Sequence, residues 1–367
     1  MLGQAGFETV SCAGFPYRKG VRLELRGIVT AAISANWYRQ SGRFEILVLA
    51  FFHANLCIHM SATNNRFLQL ASAAVFSAFA SAAVLVADHH KSVLPDVIEV
   101  GQRPESITKG FDGDFFVTVM NGKEAGDGVI KRIHGSEVTV FARGFDEPKG
   151  ICFVGGFLFA TDLNKVRRID KKGKVTILAE GNDFPKVVSY LNDAAAGSDG
   201  KSIYITDMGA NTKMHGPNGK LWPFGSEEAR AFPSIGRVYR IGLDGKVSIA
   251  IDANPLMPCP NGVGVGKDGQ LMVGAFFTGN LLELRDGELI VVADSFRGAD
   301  AVEQDSEGNY FVSSWKQGRA WKVAADGKSS QVVIDGLLSA ADFYLDEANS
   351  RLLVPDMLAG TVNVAKY

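Results

Sequence analysis

The chain has 367 residues, with 38 Lys and Arg against 40 Asp and Glu, giving a formal net charge of −2 and an isoelectric point near 6.3. A near-neutral chain without a polybasic stripe does not fit a nucleic-acid partner. No glycine cluster is followed by the Lys-Ser/Thr of a phosphate loop or lies in a dinucleotide fingerprint, so nucleotide-binding classes drop out as well.

Residues 1–59 carry scattered arginines and isolated aromatics with no sustained period, and are expected to lie outside the mature protein behind a mis-assigned start. Asn64-Asn65-Arg66 then precedes an uncharged run from Phe67 to Ala87, rich in Ala and Ser, with small residues spaced for cleavage at Ala80-Ser81-Ala82 and Leu85-Val86-Ala87. Residues 60–87 therefore read as a secretory signal peptide starting at Met60, and the product as periplasmic or extracellular. The same run is also about long enough for an uncleaved anchor, with arginines on its N-terminal side. After cleavage no membrane contact is expected.

From residue 88 onward the chain has a rhythm. Polar residues beside apolar stretches recur at Glu105, Lys149, Asn192, Asn261, Asp300 and Asp342, at intervals of 44, 43, 69, 39 and 42 residues. A period of about 40–45 residues is the signature of propeller blades. Each period divides into four strands. In the third, Asn192 opens the first, Ser202–Asp207 alternates as the second, Gly236–Ile241 follows as the third and Val247–Ile251 as the fourth. Asp-Gly, Lys-Gly and Glu-Gly tokens at 112–113, 172–173, 199–200, 244–245, 268–269, 286–287, 307–308 and 326–327 supply the turns. The expectation is an all-β, six-bladed β-propeller over 88–367. Its last repeat is one strand short, and the segment 93–100 ahead of the first repeat is the candidate to close it, which removes open edges.

Strand direction places the long link of the third repeat, Gly209 to Ile235, on the face where the leading residues lie. A loop of this length in a compact domain is usually functional or disordered. It holds Asn211, His215, Trp222, Phe224 and Phe232. Of the four cysteines, Cys12 and Cys57 precede the propeller, while Cys152 and Cys259 fall in repeats that are not neighbours, so no bridge is expected.

Three segments carry a resemblance. Leu191-Asn192-Asp193 followed by Asp199-Gly200, Pro260-Asn261-Gly262-Val263-Gly264-Val265, and Ala299-Asp300-Ala301-Val302 followed by Asp305 and Gly308 occur in order. They resemble the signature segments of the gluconolactonase/regucalcin (senescence marker protein) family, over roughly Val97 to Tyr367. The resemblance implies a divalent metal, usually calcium, on the propeller axis, held by Glu105, Asn261 and Asp300, with Asn192 either contacting the metal as a fourth ligand or ordering substrate and water near it, and with Asp300 also helping to deprotonate an attacking water. Pro104-Glu105-Ser106 departs from the family's usual Glu-Gly-Pro, Ala301 replaces a glycine, and Tyr190 stands where sugar-lactone hydrolases tend to carry arginine.

Lys149 and Asp342, in the same repeat phase, are expected at the channel mouth. Tyr190, Asn192, His215 and Trp222 complete the expected substrate contacts. The expected function is metal-dependent hydrolysis of a small-molecule lactone or related ester. The alternative is a non-enzymatic propeller that binds a ligand or protein, with calcium serving rigidity.

Overall fold

The structure, a computed structural model, describes residues 30–38, 43–51 and 94–367, with side chains from Leu94 onward. Two units are distinguished, Met1–Lys91 and Ser92–Tyr367. In the first, β1 (Thr30–Tyr38) and β2 (Arg43–Phe51) pair antiparallel, a pairing that the aperiodic sequence of 1–59 does not announce. The signal peptide read at 60–87 lies outside the described residues.

The second unit is a six-bladed β-propeller. Blade 1 is β4 (Pro104–Lys109), β5 (Phe115–Val119), β6 (Gly128–His134) and β7 (Glu137–Phe145). Blade 2 is β8 (Pro148–Val154), β9 (Phe157–Asp162), β10 (Lys165–Ile169) and β11 (Val175–Glu180). Blade 3 is β12 (Leu191–Ala196), β13 (Ser202–Asp207), β14 (Arg237–Gly242) and β15 (Val247–Ile251). Blade 4 is β16 (Pro260–Val265), β17 (Leu271–Ala275), β18 (Asn280–Arg285) and β19 (Glu288–Ala293). Blade 5 is β20 (Ala299–Gln304), β21 (Tyr310–Ser314), β22 (Arg319–Val323) and β23 (Ser330–Ile334).

The sixth blade begins with β24 (Tyr344–Asp346), β25 (Arg351–Asp356) and β26 (Thr361–Lys366), and β3 (Val97–Glu99) supplies its outer strand. Thr361 pairs with Glu99 and Asn363 with Val97, so the N-terminal segment closes the ring as its repeat count requires. Alternation of strand residues sends apolar side chains into the seams between blades. Cys152, Phe159, Leu191, Ala194 and Tyr239, for instance, fill the seam between blades 2 and 3. Both Cys152 and Cys259 are buried free thiols.

Turn chemistry follows the tokens. Asp286 and Gly287 both take positive φ, 50° and 84°, at the β18–β19 hairpin, the requirement of a two-residue type I′ connection. Among the described residues the longest helix is one turn, Glu227–Arg230, inside the inserted link, and no helix is long and apolar enough to cross a membrane.

Candidate active site and metal centre

The first strand of blades 1 to 5 carries the same irregularity. Pairing with the second strand slips between Pro104 and Ile107, Pro148 and Ile151, Leu191 and Ala194, Pro260 and Val263, and Ala299 and Val302. A bulge re-aims the side chains at its crest. The residue that follows the last regular pair is Glu105, Lys149, Asn192, Asn261 or Asp300, so five expected residues hold one structural position in five blades.

Blade 6 corrects the sixth. There the corresponding pair is Ala340 with Asp356, and the residue in phase is Ala341. Asp342 lies one residue on, in phase with Ser106, Gly150, Asp193, Gly262 and Ala301. In a strand a one-residue shift sends the side chain elsewhere. Asp342 is accordingly absent from the cavity lining: its carboxylate accepts from the Ser106 hydroxyl, and its backbone N–H donates to the Glu105 carbonyl at 2.9 Å. Asp193 shares this deeper layer, accepting from the N–H of Val263 at 2.7 Å and of Ala194 at 2.6 Å.

Hydroxyls clip the ring together. Thr118 Oγ1 donates to the Lys149 carbonyl at 2.7 Å, Thr206 Oγ1 to that of Asn261 at 2.6 Å, Ser313 Oγ to that of Ala341 at 2.9 Å, and Thr161 Oγ1 to that of Asn192. Each hydroxyl lies on the second strand of one blade and holds the ring residue of the next. Thr118, Thr206 and Ser313 also accept the N–H of Ser106, Asp193 and Ala301 in their own blade's bulge, at 2.9–3.0 Å. Gly262 has a different reason. A Cβ there would overlap the Asp300 carbonyl, so the Asn-Gly pair brings the Asn261 and Asp300 strands together.

Above the ring opens a cavity of about 430 Å³, lined by Glu105, Lys149, Asn192, Asn261 and Asp300 together with Tyr190, Arg103 and Glu147. The inserted link does overhang it, contributing Asn211, Met214, His215 and Leu221. Trp222 does not line it: its indole N–H donates to the Lys213 carbonyl at 3.1 Å, and its ring packs against the apolar cluster that the insertion forms with Cys259, Phe276 and Phe277. Asp207 anchors the base of the insertion, accepting from the N–H of Gly209 at 3.1 Å and of Tyr190 at 3.0 Å.

Electrostatics at the floor are unfavourable as they stand. Glu105 is 2 % exposed, and Asp300 and Asn261 are each 3 % exposed. Burial pushes the Glu105 carboxyl up to about 7 despite the opposing Lys149 charge. Burial, then the Glu105 and Asp193 carboxylates, hold Asp300 well above the usual range. Burial alone would lower Lys149, but Tyr190, Glu105 and Glu147 outweigh it and the ammonium stays charged. Its Nζ lies 5.3 Å from the Tyr190 ring centroid.

Two buried oxygens, Glu105 Oε2 and Asn261 Oδ1, have no hydrogen-bond partner. An unsatisfied buried oxygen costs about 1–3 kcal/mol and calls for an ion or water. Two carboxylates and two amides on four blades are a hard-cation donor set. Among the described residues no three His, Cys, Asp or Glu side chains form a metal cluster by themselves, so the amides are needed.

Sequence reasoning missed most of the cavity wall. Met208, Phe276, Trp315 and Met357 line it, each directly after the second strand of its blade. Met120 and Leu163 hold that same position in blades 1 and 2, so an apolar residue there is repeated six times, a signal present in the sequence.

No protein-family model matches the chain, and no curated protein matches it in sequence. Solved structures of gluconolactonase and regucalcin type share the fold. A gluconolactonase from Xanthomonas campestris aligns at 18 % identity over 75 % of this chain and 91 % of its own, with a TM-score of 0.57. A calcium-binding regucalcin from Agrobacterium tumefaciens aligns at 18 % identity over 71 % and 84 %, with a TM-score of 0.54. A luciferin-regenerating enzyme aligns at 13 % identity over 74 % and 95 %, also at 0.54. Likeness at such identities establishes the six-bladed propeller.

Proposed function

We propose that the protein is a metal-dependent hydrolase of a lactone or related ester. The observation that carries this is the pair of unpartnered buried oxygens, Glu105 Oε2 and Asn261 Oδ1, on the cavity floor beside Asp300. A gluconolactonase and a calcium-binding regucalcin among the proteins of like fold support it. A divalent ion such as calcium, held by Glu105, Asn192, Asn261 and Asp300, would polarise the ester carbonyl and offset the buried negative charge.

The chain's own residues do the rest. Asp300, on the cavity floor with Glu105 and Asn261, takes a proton from the attacking water. Water oxygen bonds to the carbonyl carbon, the acyl C–O bond breaks, and the proton passes to the departing alkoxide. Asn192 orients the substrate, and Lys149 and Tyr190 border the same space. The apolar wall and the overhanging link limit bulk water. Export through residues 60–87 belongs to the same proposal, and N-terminal sequencing of the mature protein checks it.

The test is Asp300→Asn assayed by proton release from a lactone panel with calcium present. We expect at least a 100-fold loss of turnover with the fold retained. Unchanged hydrolysis would remove Asp300 from its role. A calcium-stabilised wild type that hydrolyses nothing would favour a ligand-binding propeller.

A further inference from the structure

We infer that the site takes a lactone or ester bearing an alkyl or aryl substituent, in preference to a polyhydroxylated sugar lactone. This rests on the hydrolase reading and names its substrate class. The wall above the ring is built of Met208, Met214, Leu221, Phe276, Trp315 and Met357. Four of these occupy one repeated position, and their backbone N–H groups are fixed to the blade: Met208 to the Tyr190 carbonyl, Phe276 to Cys259, Trp315 to Gly298 and Met357 to Ser339, at 2.9–3.2 Å. The apolar wall is thus as firmly seated as the ring beneath it. Thioethers and aromatic rings offer large, adaptable apolar contact.

Several polar groups of the cavity wall are already engaged within the protein. Arg103 donates to the Gly122 carbonyl at 2.6 Å and to Glu147 at 2.9 Å. Asn211 accepts from the Ser189 hydroxyl at 2.9 Å, and the Asn192 amide faces the Met208 sulfur at 3.0 Å. The Trp315 N–H likewise lies on the Met357 sulfur at 3.4 Å. A sugar lactone brings several hydroxyls, each needing a partner when it leaves water, and Arg103, Glu147, Asn192 and Asn211 would have to loosen existing contacts to supply one. An alkyl chain needs none. Outside the cavity, five of the exposed apolar residues, Val187, Ile235, Leu256, Leu338 and Leu358, sit in links on this same face.

The experiment uses the full chain with calcium and compares γ-butyrolactone, γ-lactones with butyl and heptyl chains, and gluconolactone. In parallel, calorimetry compares binding of cyclopentanone and 2-heptylcyclopentanone, which has the chain but no scissile bond. We expect kcat/KM to rise roughly threefold per buried methylene over the first few carbons, gluconolactone to lie at least tenfold below the heptyl lactone, and the heptyl ketone to bind at least tenfold tighter than cyclopentanone. Trp315→Ala and, should that variant fail to fold, Met357→Gln should flatten the chain-length slope. A flat slope in the wild type, or a preference for gluconolactone, overturns the inference while leaving hydrolysis intact. Tight binding of the heptyl ketone without any turnover supports the apolar ligand class and removes the hydrolase reading. Neither turnover nor preferential ketone binding overturns both.

Discussion

Thr206 on β13 holds Asn261 on β16: its hydroxyl donates to the Asn261 carbonyl at 2.6 Å while accepting the N–H of Asp193 at 2.9 Å. One side chain therefore fixes the bulge beside Asn192 and the backbone of the neighbouring ring residue across a blade boundary. Thr206→Val keeps the shape but leaves a buried N–H and a buried carbonyl unpaired, at roughly 1–3 kcal/mol. We expect a loss of that size in denaturant unfolding, and a fall in lactone turnover of about 10- to 100-fold from displaced ring residues. Thr206→Ser should restore both. If Thr206→Val matched the wild type in turnover, the hydroxyl clip would not position the site.

Calcium should stabilise the protein through the orphaned oxygens. A ligand at about 100 times its dissociation constant adds roughly 2.7 kcal/mol to a state that alone binds it. Thermal unfolding is expected to rise by several degrees with calcium and to fall again with chelator. Glu105→Gln removes one carboxylate of the donor set and should cut that response sharply while relieving the buried charge, so the variant without metal unfolds no earlier than the wild type. An undiminished calcium response in Glu105→Gln would place the ion elsewhere.

Much of this site is legible in the sequence because a propeller repeats its geometry along with its period. Glu105, Lys149, Asn192, Asn261 and Asp300 recur in phase since each sits at the crest of the same bulge. The phase of blade 6 is not legible. Ala341 and Asp342 are adjacent, and only the pairing of Ala340 with Asp356, seen in three dimensions, selects the alanine. Polar character drew the eye to Asp342, whereas it belongs to the layer below with Ser106 and Asp193. The apolar wall was hidden for the opposite reason: Met208, Phe276, Trp315 and Met357 look like ordinary strand ends, and their alignment emerges only once the second strands have exact bounds. Trp222 illustrates a further limit, since a loop can be placed on the right face without knowing which of its side chains turn inward.

Glu303 on β20 gives the protein a dependence on pH that is separate from turnover. Burial, reinforced by the Asp193 carboxylate, raises its pKa from 4.5 to about 8. The folded state thus binds the proton more tightly than the unfolded chain, and the contribution to stability is complete below pH about 4.5 and lost as pH rises through about 8. Glu303→Gln stays neutral throughout. The variant and the wild type should unfold alike near pH 4.5, and above pH 8 the variant should be the more stable by ~1–2 kcal/mol, a figure discounted for partial solvent exposure. Parallel stability curves across this range would show that Glu303 titrates normally.

Lys149 is the one cation at a ring position, 6 % exposed, with Tyr190, Glu105 and Glu147 around it. Its charge lies among the groups that would hold a dication, and two positive charges in a site of low dielectric repel. Lys149→Met preserves the length and apolar stem of the side chain while deleting the ammonium. The variant should bind calcium about tenfold more tightly by calorimetry, because the carboxylates of Glu105 and Asp300 then have only the metal to neutralise them. Without calcium it should be less stable than the wild type, since removing one partner from a buried set of opposite charges leaves the others uncompensated. The two effects have opposite signs, so a variant destabilised in both states would point to a packing role for Lys149, whereas tighter calcium binding together with a weakened metal-free fold identifies the ammonium as a partner that offsets the same carboxylates as the metal.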